Sequence, residues 1–104
     1  MIDWSRIEGF DWDAGNSRKN VEKHGVGQAE TEQLFFNEPL LVVSDERHSI
    51  LELRFHALGH SDEGRLLHIT FTLRDDARLI RVISARDMHK KERAIYEQAR
   101  QADS

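Results

Sequence analysis

The 104 residues predict an α+β fold: two N-terminal helices, an antiparallel sheet of about four strands, and a C-terminal helix. Three observations carry that expectation. Two short helix-period segments with end signals lie before Leu40. From Leu40 the apolar period becomes two and stays so to about Ala85. A polar, amphipathic segment then closes the chain. Helices are expected on one face of an antiparallel meander, within a single domain spanning 1–104 whose residues 1–9 form a lead-in.

Phe10-Asp-Trp12 reads as a short strand or extended lead-in. Asp13 follows where a helix N-cap would sit, its carboxylate placed for an orphan amide of the first turn. A helix from Ala14 to His24 should close at Gly25, which adopts the left-handed conformation at low cost. A second helix is expected from about Gln28 to Phe36, with Val26, Ala29, Leu34 and Phe35 apolar and Asn37 and Pro39 ending it.

Leu40 to Ser44 is apolar enough for a buried strand, and Asp45-Glu-Arg-His-Ser reads as a polar connection. In the next strand Leu51, Leu53, Phe55 and Ala57 share one face, with Glu52, Arg54 and His56 on the other. Gly59 to Gly64 makes a turn. Arg65 to Leu73 then sets Leu67, Ile69, Phe71 and Leu73 opposite His68, Thr70 and Thr72. Arg74-Asp-Asp-Ala is a tight connection to a last strand, Arg78 to Ala85, apolar on both faces. Asp87 is expected to cap a helix running to about Gln101, with Met88, Ile95 and Ala99 inward and Tyr96 at the edge.

Charge divides the chain. Residues 1–63 carry six Lys/Arg against thirteen Asp/Glu, and residues 64–104 carry nine against six, so a net of −4 conceals a basic C-terminal region. Its densest stretch is Arg81-Val-Ile-Ser-Ala-Arg86-Asp-Met-His-Lys90-Lys91-Glu92-Arg93, a field suited to a phosphate backbone or an acidic partner helix. The absence of cysteine excludes a disulfide framework, a thiol nucleophile and a thiolate metal site. No stretch approaches the roughly 20 apolar residues of a membrane span, and the N-terminus lacks a signal-peptide run, so a cytoplasmic protein is expected.

His24, His48, His56, His60, His68 and His89 show no spacing that puts two imidazoles on one helix face, so no metal is expected. There is no glycine-rich phosphate loop or nucleophile elbow. What remains is arginine-led. Arg54 and His56 share the outward face of one strand, His68 and Thr70 lie on the next, and Arg81 or Arg86 comes from the strand after. In a meander these groups could converge on one open sheet surface. Cleaving RNA without a metal requires a base for the ribose 2′-hydroxyl, cations for the phosphoryl oxygens and an acid for the leaving 5′-oxygen. Arginine suits the cationic role because it stays charged and grips phosphate in bidentate fashion. The competing reading pairs Arg54 and Arg81 with Glu52 or Asp75 across strands. Trp12 can stack on a base or staple the core. His24 can transfer protons or cap the helix end. Lys19 and Lys23 make a cationic edge one helical turn apart.

Together, Phe10-Asp-Trp-Asp13, Asn20-Val-Glu-Lys-His-Gly-Val26, Arg54-Phe55 with Gly59, Gly64-Arg65-Leu-Leu, and Arg81-Val-Ile-Ser-Ala-Arg86 with Glu92-Arg93 and Tyr96 resemble the BrnT family of type II toxins. The resemblance runs from about Phe10 to Tyr96. It implies a RelE-like fold, a metal-independent endoribonuclease that blocks translation, and a BrnA-like antitoxin that binds the toxin as a hetero-oligomer and carries it to DNA. The family's helix commonly has a lysine where this chain has Asn16. On this reading His24, Arg54, His56, Arg81 and Arg86 carry the chemistry, while Trp12, Lys19, Lys23, Arg65, Lys90, Lys91 and Arg93 hold RNA. The alternative is a catalytically inactive antitoxin-binding module acting as co-repressor. Direct DNA binding is a weaker third reading, since no recognition helix is evident.

Overall fold

The computed structural model describes residues 2–47 and 52–102; His48 and Leu51, named above, lie outside them. A 3-10 turn at Trp4–Arg6 leads to β1 (Gly9–Phe10), α1 (Ala14–His24) and α2 (Gln28–Gln33), which a second 3-10 turn extends to Phe36. The strands β2 (Leu41–Asp45), β3 (Arg54–His60), β4 (Leu66–Arg74) and β5 (Leu79–Asp87) follow, then α3 (Lys90–Ala102).

Local chemistry sets α1 as its residues suggest. The Asp13 carboxylate accepts from the Asn16 amide at 3.0 Å, and Gly25 ends the helix at φ 65°. The Asn20 amide oxygen accepts from the Ala85 amide at 3.2 Å, so a buried helix side chain satisfies a strand donor beyond the reach of β1.

The sheet order is β1-β5-β4-β3-β2, with the last four strands an antiparallel meander. Two-residue β1 adds a fifth strand, parallel to β5 through Gly9↔Leu79 and Phe10↔Ile80, so the sheet is mixed. The long-range pairing has no local sequence signature. Phe55, Ala57, Leu67, Ile69, Phe71, Ile80, Val82 and Ala85 form the core with Val26 and Leu34. Phe35 meets Phe71 edge-on at 5.3 Å, which seats the α2 extension on this face.

Several expectations change in three dimensions. The third strand begins at Arg54 and runs through Gly59, so Leu53 stays exposed and Gly59 is not a turn residue. A Cβ at Gly59 would come within 3.0 Å of Leu34, a close approach that glycine permits. Ala29 is exposed. Asp87 ends β5 instead of capping α3, because its partner Leu67 prolongs the ladder. The helix starts three residues later, where Glu92 accepts from the His89 amide at 2.8 Å.

That later start and the docking of α3 turn Tyr96 inward, fully buried, and leave Ile95 half exposed. Met88 is buried as expected. The helices are not confined to one face, since α3 packs on the side opposite Phe71. The Tyr96 hydroxyl lies 2.7 Å from both the Pro39 carbonyl and His60 Nδ1. Its single proton goes to the carbonyl, so the His60 Nδ1–H donates to the hydroxyl oxygen. Tyr96→Phe, which strands both groups, should cost about 1–3 kcal/mol in urea unfolding; an unchanged midpoint would show that this bridge does not hold α3.

Candidate nuclease site

The cross-strand register sorts the polar residues. Arg54↔Thr72, His56↔Thr70 and Leu58↔His68 pair β3 with β4, while His68↔Arg86, Thr70↔Ser84 and Thr72↔Arg81 pair β4 with β5. Directly opposed residues in an antiparallel pair point to the same side. Arg54, His56, His68, Thr70, Arg81 and Arg86 therefore share the sheet face away from Phe71. A bulge makes this possible. Residues five apart, such as Arg81 and Arg86, would point to opposite faces of a regular strand. Between the pairs Thr70↔Ser84 and Phe71↔Val82 the register slips by one, leaving Ile83 without an opposite residue, and both arginines reach the same side.

His56 is the most constrained imidazole on this face. Its Nε2 lies 2.8 Å from Asp45 Oδ2 and its Nδ1 3.2 Å from the Thr70 hydroxyl. A carboxylate can only accept, so Nε2–H donates to Asp45, and in the neutral ring Nδ1 accepts from Thr70. The His68 ring centre is 5.0 Å away. His68 is 8 % exposed, and burial, reinforced by the Arg86 charge, pushes its imidazole down to about 4.

The arginines arrive with carboxylate partners. Arg86 grips Glu92 through two bonds of 2.9 and 3.0 Å, and this contact holds Glu92 down at about 2. Arg81 reaches Asp11 at 3.2 Å and Asp13 at 3.0 Å. Glu52 instead pairs with Arg74, and Asp75 with Arg78, so the cross-strand alternative for Arg81 is not formed. Arg54 is half-buried beside them.

Other expected site residues lie elsewhere. The His24 carbonyl and the Gly25 carbonyl accept from Arg65, closing the end of α1, and the exposed His24 ring sits near Asp87 rather than His56. Arg65 also binds Glu30 and Asp87, which occupies all three guanidinium nitrogens with the protein's own groups and raises its pKa while lowering that of Asp87. The Trp12 indole donates to Glu32 at 2.7 Å and its ring packs on the core, as a staple would. Lys19, Lys23, Lys90, Lys91 and Arg93 are exposed on helices. Sequence reasoning missed Asp45, placed in a connection, and Glu92 as the partner of Arg86; the Asp13-to-Arg81 pair needs the fold. A mainly apolar concavity of about 830 Å³ between Trp4, Phe10, Phe35 and Leu40 lies on the Phe71 side, away from these groups. Among the described residues no His, Asp and Glu cluster is arranged to hold a metal ion, and no helix is long and apolar enough to cross a membrane.

The fold and this face define a small α+β protein whose ionisable groups cluster on one side of the sheet, beside the first turn of α3. Residues 12–92 match the family model described as "Ribonuclease toxin, BrnT, of type II toxin-antitoxin system", and the chain belongs to that family. The crystal structure of the Brucella abortus ribonuclease toxin BrnT superposes with a TM-score of 0.62 at 20% identity, covering 81% of this chain and 100% of that one, a likeness of fold. No curated protein matches.

The buried His68 has a stability consequence. Its folded pKa, near 4, is below the ordinary 6.5, so between these values the unfolded chain binds the extra proton. Its contribution is fully present above pH 6.5 and declines as pH falls toward 4, by at most about 1.4 kcal/mol per pH unit. Urea midpoints of wild type should fall across that window more steeply than those of His68→Gln; parallel curves would contradict a neutral, desolvated His68.

Proposed function

We propose that this chain is a metal-independent endoribonuclease toxin that cuts RNA on the polar sheet face, halts translation and is neutralised by a BrnA-like antitoxin. The observation that supports it most is the placement of His56, fixed at both nitrogens, on a surface shared with Arg54, Arg81 and Arg86. The family's description as a ribonuclease toxin supplies the reaction class, and its type II membership implies an antitoxin partner.

In the proposed reaction His56 Nδ1 takes the proton of the ribose 2′-hydroxyl, directly or through the Thr70 hydroxyl. The O2′–P bond forms as the P–O5′ bond breaks, and water on the open face protonates the leaving 5′-oxygen. The products are a 2′,3′-cyclic phosphate and a 5′-hydroxyl. Arg54, Arg81 and Arg86 bind the phosphoryl oxygens as charge gathers there. For Arg81 and Arg86 the phosphate takes the place of, or shares the guanidinium with, Asp11, Asp13 and Glu92. Lys90, Lys91 and Arg93 at the start of α3 extend the positive field along the RNA backbone. The His24 ring lies by Asp87 at the end of α1, whereas His56 lies among the arginines of this face, so His56 is the proposed base.

One observation favours the second reading, a cleavage-inactive antitoxin-binding module that acts as co-repressor. Arg81 and Arg86 are already neutralised by acidic side chains, as structural ion pairs would be. Purified protein and an RNA oligonucleotide separate the two. Cleavage should persist in chelator, yield the cyclic phosphate, and fall on the order of a hundredfold in His56→Gln or Arg86→Ala. Intact RNA with folded wild-type protein, together with tight antitoxin binding, would establish the binding module instead.

A further inference from the structure

Asp45 was hidden in the sequence as the first residue of a polar connection, yet it is the last residue of β2 and stands opposite Arg54 in the β2–β3 register. Its side chain is 11% exposed and its Oδ2 lies 2.8 Å from His56 Nε2. Three cationic groups, Arg54 on β3 and Arg81 and Arg86 on β5, share the face with His56. The carboxylates of Asp11, Asp13 and Glu92 are turned to the β5 arginines. Asp45 supplies the carboxylate that His56 Nε2 meets.

We propose that Asp45 is the positioning residue of this site: its carboxylate fixes His56 as the Nε2–H tautomer and so makes Nδ1, the nitrogen beside Thr70, the proton acceptor. The inference rests on the reading of His56 as the base. When Nδ1 takes the 2′-hydroxyl proton, the ring keeps its Nε2–H, the new positive charge faces the ionised Asp45, and the carboxylate itself gains no proton. A carboxylate held this way imposes both ring orientation and tautomer on its histidine. An amide in its place could present either oxygen or NH₂ to the ring, so the preference is lost while the shape is kept.

The test uses ¹⁵N-labelled full-length wild type, Asp45→Asn, Asp45→Glu and His56→Gln. Two-bond ¹H–¹⁵N correlations read the His56 tautomer without RNA, and kinetics on an RNA oligonucleotide give kcat and KM separately. Wild type should show Nε2–H. Asp45→Asn should lose that preference and lower kcat by tenfold or more, roughly, at unchanged KM, and Asp45→Glu should recover part of both. A wild-type tautomer in Asp45→Asn overturns the proposal, as does full kcat after the preference is lost, which would make the pair structural. Full cleavage by His56→Gln overturns the reading of His56 as base, and with it any catalytic part for Asp45. The tautomer signal, read without substrate, tells that failure from the first.

Discussion

One unpaired residue in β5, Ile83, determines what the polar face of this sheet can be. A strand alternates its side chains, and without the slip at Ile83 a strand that buried Val82 and Ile80 could not also bury Ala85 on the same side. The slip keeps Ile80, Val82 and Ala85 in the core and sends Arg81 and Arg86 together to the opposite face. Core packing and the clustering of cations thus depend on the same irregularity. The β3–β4 pairing completes the surface, because its regular register sets Arg54, His56, Thr70 and His68 on that side.

The helices frame this surface and supply its carboxylates. The start of α1 delivers Asp13, and the residues before it Asp11, to Arg81. The first turn of α3 delivers Glu92 to Arg86, with Tyr96 anchoring the helix one turn farther on. These pairs hold long side chains in defined geometries, which would lower the entropy cost of binding a phosphate in the proposed reaction. They would also set a competition, since a phosphate arriving as proposed would have to displace neighbouring carboxylates from the same guanidinium groups. The balance between those effects separates a nuclease from a binding module built on the same face.

Features set by local chemistry were legible in the sequence. Asp13 and Gly25 delimit α1 because a cap needs only its own turn, and period-two alternation showed which side of β3 and β4 carries Arg54, His56, His68 and Thr70. Features set by distant partners were not. The parallel β1–β5 pair joins residues 70 apart in the chain, and Asp87 resembles an N-cap until its strand partner and Arg65 are known. The inward turn of Tyr96 depends on where His60 and Pro39 lie. Asp45 could have been suspected only as a polar residue closing the apolar run Leu41–Val43, and its role beside His56 needs the β2–β3 register. The bulge left no signature, so strand periodicity offered Arg81 or Arg86 to this face, and both were named only once the family resemblance was added.

The central claim is that RNA lies on this open face with its reactive linkage between the arginines and His56. A crystal structure of the protein with an RNA oligonucleotide carrying a single 2′-deoxy, and hence uncleavable, linkage tests it most directly. The account predicts the phosphate of that linkage within hydrogen-bonding distance of at least one of Arg54, Arg81 and Arg86, with the 2′ carbon directed at Thr70 and His56. An oligonucleotide bound in the apolar concavity near Phe35, or along the outer face of α1 with the polar sheet face empty, would contradict it.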